Sequence, residues 1–163
     1  MTIRQSGIAD LPQILEILRE GRERQIESGN PNQWPAGYPS EEKMRGEIER
    51  GVSYIVEEDG ETVGVFTFII GIDPTYLKIE GGNWTDDNLP YGTIHRIAGV
   101  RGAQGIAAAC FDWCWNRIPN LRADTHEDNA VMKHCLEKAG FRYCGIIHID
   151  SGAARLAYQK IKE

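Results

Sequence analysis

Several things are missing from this sequence, and each absence narrows what the chain can be. No stretch approaches the roughly 20 consecutive apolar residues of a membrane span, and the first residues, MTIRQSGIADL, are polar without the apolar block of a signal peptide. The expectation is a cytoplasmic protein with no membrane partner. No Lys/Arg cluster is present, and 18 Lys+Arg against 24 Asp+Glu leave a net charge of −6. Counterion release needs a basic face, so nucleic acid is not expected as a partner. Cysteine is scarce at four residues, and no two are spaced C-x-x-C. Cys110 and Cys114 lie four apart in a helical segment, a poor disulfide geometry, so reduced thiols and no metal site are expected. Repeats, low-complexity tracts and linkers are also lacking.

What remains is an ordinary domain composition. Of 163 residues, 41% are hydrophobic and 26% charged, which suits one domain over residues 1–163. A chain of this length buries about two-thirds of its unfolded surface, enough for a core without staples.

Hydrophobic periodicity orders the elements. Thr2 to Gln5 alternate as a strand, and Asp10 stands as N-cap before Leu11, Ile14, Leu15 and Leu18 at helical spacing. Ser28 to Ser40 is a loop with three prolines that bears Trp34 and Tyr38. Ser40 opens a second helix running to about Gly51. Val52–Glu57 and Thr62–Ile72 flank Asp59-Gly60 as a hairpin. Asp73 to Pro90 is a long irregular connection that contains Trp84. Thr93–Val100 is a strand, followed by a helix from Gly105 to Ile118, apolar over most of its circumference. Leu121–Thr125 is a strand and Asp128–Ala139 a helix with Asp128 as its cap and Gly140 at its stop. Phe141–Ile149 and Ala154–Ile161 close the chain as a hairpin. The order β α α β β β α β α β β is a mixed α/β pattern, in which the strands joined through helices are expected to be parallel neighbours. Pairing through the final strands would cover an exposed edge, which leaves a homodimer open.

The densest chemistry lies where Gly99, Gly102 and Gly105 crowd the exit of a strand into a helix. Such a turn can aim backbone N–H groups at an anion on the positive end of the helix dipole. It lacks the Gly-Lys-Ser/Thr of a Walker loop and the spacing of G-x-G-x-x-G. A tight turn that needs glycine for its backbone alone explains it equally well.

The segments IAGVRGAQGIAAACFDW, RADTHEDNAVMKHCLEKAGFRYCG and ARLAYQK resemble the GNAT superfamily of acetyl-CoA-dependent N-acetyltransferases, most strongly from His95 to Tyr158. The resemblance implies an acyl-CoA N-acyltransferase fold of class α/β (α+β), a central mixed sheet of about seven strands with four helices. It implies acetyl-CoA as cosubstrate and a small-molecule or peptide amine as acceptor. Arg101, Gly102, Ala103, Gln104, Gly105, Ile106 and Ala107 correspond to the turn that wraps the coenzyme A pyrophosphate with main-chain amides, with the basic residue displaced to Arg101. Ile97 and Ala98 would offer main-chain groups to the pantetheine arm and acetyl carbonyl. Asn129 would contact the pantetheine. Leu136 stands where many relatives carry a tyrosine that protonates the leaving thiolate.

Direct attack of an amine on a thioester calls for a base, a carbonyl polariser and an acid. His95 is the candidate base, on one strand face with Thr93 and Ile97; a hydrogen-bonded structural role is the alternative. His126, at the end of the next strand, is the second candidate, to bind the acceptor or relay its proton. Tyr143 and Cys135 lie near the vacated tyrosine position, Tyr143 being the candidate acid. Trp34, Tyr38 and Trp84 would form an aromatic acceptor wall, unless they anchor their loops. Leu136 favours a different reading, a non-catalytic acyl-CoA-binding or sensing domain. An ATP-binding domain using the same turn is a third.

Overall fold

The computed structural model describes all 163 residues. Strand β1 (Thr2–Gln5) leads into α1 (Leu11–Glu27) and α2 (Glu41–Glu49). The hairpin β2 (Ser53–Glu58) and β3 (Glu61–Ile70) follows, then β4 (Gly92–Gly99), α3 (Ile106–Trp115), β5 (Asn120–Thr125), α4 (Ala130–Lys138), β6 (Arg142–His148) and β7 (Ala154–Ile161). No helix is long and apolar enough to cross a membrane. One seven-stranded sheet runs β1-β2-β3-β4-β5-β7-β6. Its only parallel pair is β4 with β5, through the α3 crossover.

Alternation along the strands divides the apolar side chains between two layers. Val65 and Ile55 face α1 and α2, where Ile14, Leu18, Met44 and Ile48 cover them. Phe66, Phe68 and Ile94 face the other way, onto Cys110 and Phe111 of α3 and Leu136 of α4. All four cysteines are free thiols.

Asp10 stands at the N-cap position of α1 as expected, but its side chain makes no capping bond there: its carboxylate takes the Gly7 amide and Arg4 in the 3-10 turn Ile8–Asp10. Two local expectations are corrected. At α4 the cap is Asn129, whose Oδ1 accepts the Met132 amide at 3.0 Å, while the Asp128 amide donates to His126 Nδ1. Finally, β6 is not the neighbour of β5. Strand β7 inserts between them, pairing β5 over six positions, because the closing hairpin folds back to fill the open edge.

The connection between β3 and β4 is well packed. Tyr76, Trp84 and Tyr91 are buried with Ile147 and Ala157. The Arg122 guanidinium lies between the Trp84 and Tyr91 rings, 4.0 and 3.9 Å from their centroids. Trp84 Nε1 donates to the Tyr76 carbonyl at 3.0 Å. Glu80 bonds Ile146 in both directions, so this connection also covers part of the outer edge of β6. Trp84 therefore anchors its loop and does not face an acceptor. Trp84→Ala is expected to lower unfolding free energy by about 3–5 kcal/mol in urea denaturation, with the acceptor KM retained.

Candidate functional site

The site originates in an irregularity of β4. Thr67 of β3 pairs with His95 and Val65 with Ala98, so Arg96 and Ile97 together oppose the single residue Phe66. Arg96 has φ of 51°, the left-handed conformation of a bulged residue. The bulge reverses the alternation after it. His95 shares a face with Thr93, as the sequence suggests, but Ile97 packs on the opposite face, against the α3 and α4 layer. The bulge also bends the strand. β4 pairs with β5 only at Gly92↔Leu121 and Thr93↔Arg122, and beyond these residues the two strands part.

The gap between them is a narrow channel of about 40 Å³, whose walls include Ile97, Ala123, Asn129, Met132 and Leu136. Leu136 is completely buried, so α4 offers hydrocarbon where a hydroxyl was looked for. Gln33, from the loop between α1 and α2, closes one side. Its Oε1 accepts from Asn129 Nδ2 and Asn30 Nδ2, each at 2.9 Å.

At the α3 end of β4 the chain makes the glycine turn. Gly102 and Gly105 have φ of 88° and 76°, and a Cβ at either would meet nothing in the protein within 4 Å. Gly105 is the N-cap of α3 and has no side chain to satisfy the first turn. The amides of Gln104, Gly105, Ile106 and Ala107 donate to no acceptor in the protein, whereas the Ala103 amide is taken by the Val100 carbonyl. Unpaired amides at a helix start are a place for an anion. The residues present thus fit a diphosphate: the donors are backbone without acceptors in the protein, the two glycines of the turn border open space, and the dipole of α3 adds to them. Arg101, at the rim, pairs with Glu27 at 3.3 Å.

On the other face of the sheet the channel meets a cleft of about 760 Å³. Trp34 and Tyr38 line it, as do His95, Arg96, Asp124 and Arg155. His95 Nε2 lies 3.4 Å from Asp73 Oδ2. Burial alone would raise the Asp73 carboxyl, but hydrogen bonds from His95 and Thr75 outweigh it and bring the group down to about 2. Asp124, on β5 where channel and cleft join, accepts the Tyr76 hydroxyl at 2.6 Å on Oδ2. Burial and this carboxylate both push the Tyr76 phenol up.

The floor of the cleft is a buried ion pair between Arg96 and Glu47, whose side chains are 7% and 2% exposed. Thr67 Oγ1 donates to Glu47 at 2.7 Å, and Arg96 donates to the Tyr38 hydroxyl at 3.1 Å. Burial pushes the Glu47 carboxyl up, yet Arg96, Thr67 and Lys43 together hold it below its ordinary range. Arg96→Leu removes the contacting cation and leaves that buried carboxylate with only Thr67 and the more distant Lys43, an expected loss of about 3–5 kcal/mol in unfolding free energy. In a double-mutant cycle read by denaturation, adding Glu47→Leu is expected to recover more than half of the loss.

Of the remaining candidates, His126 and Tyr143 lie outside both cavities. His126 Nδ1 accepts the Asp128 amide at 3.0 Å, which makes it part of the β5–α4 turn. Tyr143 is 52% exposed on the edge strand β6 and packs against Tyr158. Residues not singled out from the sequence, Gln33, Glu47, Asp73, Arg96 and Arg155, do line the cavities or cleft. The only local signal for any of them was the Asp73-Pro74 turn that fixes Asp73.

A solved structure of a GNAT-family acetyltransferase from Streptococcus agalactiae is 35% identical to the chain, covers 99% of it and 95% of its own length, and superposes with a TM-score of 0.89. The chain belongs to the GNAT family of acetyltransferases. A GNAT-family acetyltransferase from Listeria monocytogenes is 19% identical, with a TM-score of 0.71 over 98% of this chain and 93% of its own. AAC(6')-Ib, solved with ribostamycin and coenzyme A, is 19% identical, with a TM-score of 0.66 over 99% and 93%. At these two identities the likeness is one of fold. No protein-family model matches the chain, and no curated protein does. This GNAT protein has one mixed sheet, and its parallel strands part beside a glycine turn.

Proposed function

We propose that this acetyltransferase moves an acetyl group from acetyl-CoA to the amine of a small molecule by direct attack within a ternary complex. The observation that carries the reading is the set of unpaired amides from Gln104 to Ala107, placed beside the one point where the sheet opens. Acetyl-CoA supplies the activated acyl carbon. The chain's own residues do the rest. The amides and the α3 dipole hold the diphosphate, and the channel walls Ile97, Asn129 and Leu136 enclose the arm. The edge of β4 beyond Thr93, which has no strand partner toward β5, offers main-chain groups to it, those of Ile97 and Ala98 included.

On the cleft side His95 takes the acceptor's proton. In the tautomer with its proton on Nε2, 3.4 Å from Asp73 Oδ2, Nδ1 keeps its lone pair for that proton, and Asp73 stabilises the imidazolium that results. Asp124 keeps one carboxylate oxygen clear of the Tyr76 bond and holds the acceptor ammonium. Trp34 and Tyr38 supply aromatic surface for the acceptor's carbon skeleton.

Release of free CoA is the test, measured with a panel of amines on the wild type and on His95→Ala. Turnover by the wild type supports the reading. The second reading, a non-catalytic acyl-CoA-binding domain, is favoured by Leu136, since the channel wall carries no proton donor there. Tight CoA binding without turnover on any amine selects it.

A further inference from the structure

The charges of the cleft are balanced but not all paired. Four cationic side chains (Lys43, Arg50, Arg96, Arg155) and four anionic ones (Glu47, Asp73, Asp124, Asp150) line it, so the cleft does not share the net negative charge of the chain. Arg96 is matched by Glu47, and Lys43 also reaches Glu47, at 3.8 Å. Asp73 is occupied by His95.

Arg155 is different. It is 6% exposed, yet its partners are two carbonyls, Ala154 and Gln33, each at 2.9 Å. No carboxylate makes an ion pair with it, and burial pushes its guanidinium down while Asp124 and Tyr38 act on it only through space. Two of its five donors are engaged, one on each terminal nitrogen, and the other three N–H groups have no partner in the protein. A buried cation without a counter-charge is costly unless a ligand supplies one.

The placement of Asp124 makes this a two-point site. Asp124 pairs across from Ala157 on β7, and Arg155 lies two residues along on the same face. Such diagonal neighbours have backbones about 7–8 Å apart, and both side chains line the one cleft, where a small zwitterion can take charge-assisted hydrogen bonds at its two ends.

We propose that Arg155 is a carboxylate-binding subsite and that the acceptor is a small free amino acid, its carboxylate on Arg155 and its amine on Asp124. The inference rests on the acetyl-transfer reading for the amine end only. A peptide N-terminus carries a neutral amide where this subsite asks for an anion. A phosphate would bring a second negative charge beside Asp124, with a single arginine to meet it.

The test reads the acetylated product, which needs no turnover to bind. N-acetylglycine and N-acetylalanine are titrated against the CoA-loaded protein beside N-methylacetamide and N-ethylacetamide, which lack the carboxylate, with binding followed by NMR or calorimetry. The carboxylate-bearing ligands are expected to bind about 10–100-fold more tightly, the range for hydrogen bonds to a charged group. Arg155→Gln is expected to abolish that preference, and Arg155→Lys, which keeps the charge but not the fork, to retain part of it. CoA affinity and thermal melting of each variant report whether the Gln33 contact has been lost with its loop; if Arg155→Gln melts early, Arg155→Lys alone decides. Equal binding of acids and neutral amides by the wild type, or a preference that is undiminished in Arg155→Lys or survives in a folded Arg155→Gln, overturns the subsite. CoA release with amines but no carboxylate preference would leave acetyl transfer standing, whereas Arg155-dependent binding without any CoA release would leave the subsite and remove the enzyme.

Discussion

Gly105→Val is expected to weaken coenzyme A binding by about a hundredfold or more while the protein stays folded. The argument is geometric. Gly105 has φ of 76°, a conformation that costs a residue with Cβ about 1–2 kcal/mol, and more for a β-branched side chain. That cost falls on a turn and not on the core, because the added carbon meets no protein atom within 4 Å. The space it enters adjoins the amides of Gln104 to Ala107, which have no acceptor in the protein. Displacing a diphosphate from two such amides forfeits about 1.5–3 kcal/mol for each hydrogen bond to a charged group, which together corresponds to a factor of 10² to 10⁴. Calorimetry with CoA measures it directly, and unchanged affinity in Gly105→Val would remove the turn from the binding site. Gly102→Val, at φ of 88° with equally open surroundings, provides the parallel measurement.

His95→Ala is expected to lower kcat/KM for the amine acceptor by about 10²–10⁴, the usual contribution of a positioned general base, with CoA affinity retained. Asp73→Asn acts through His95 and is expected to cost less. Its signature is a changed pH profile, since the amide no longer stabilises the imidazolium. The pair also has a consequence for stability. Asp73 titrates near 2 in the folded protein against an ordinary 3.8, so its contribution is present above about pH 4 and is lost as the pH falls through about 2. In His95→Ala the carboxyl loses a hydrogen-bond donor, and its titration, followed by carboxyl NMR, is expected to move upward. A carboxyl that stays near 2 would show that Thr75 alone holds it there and that Asp73 does not act on His95.

Much of the fold was legible because its signals are local. Alternation in residues 53–58 and 61–70, the turn formers Asp59 and Gly60, and the helical spacing of Leu11, Ile14 and Leu18 each act over a few residues, and the elements formed where those patterns lie. The glycine turn was legible for the same reason: a left-handed φ at Gly102 and Gly105 is a property of single positions. Assignments that depend on neighbours distant in sequence fared differently. Which of Asp128 and Asn129 caps α4 depends on their other partners: the distant Gln33 takes Asn129 Nδ2 and leaves its Oδ1 to the Met132 amide, while His126 takes the Asp128 amide. The alternation that placed Ile97 beside His95 failed at the Arg96 bulge, and no pattern in β4 announces the bulge; the Glu47 and Thr67 partners of the bulged Arg96 come from α2 and β3. Trp84 and Tyr38 look alike on paper as loop aromatics. Arg122 draws one into the core, and Arg96 holds the other at the cleft.

The amino-acid order by itself determined the secondary structure elements, the mixed sheet and the amide-rich turn at the start of α3, since those follow from torsional preference and hydrophobic period along the chain. Only the tertiary structure decided the acceptor side. Asp73, His95, Asp124 and Arg155 come from four separate segments, and their charges become a site only when the parting of β4 from β5 brings them around one opening. Electrostatic pairing acts through space and leaves no period in a sequence.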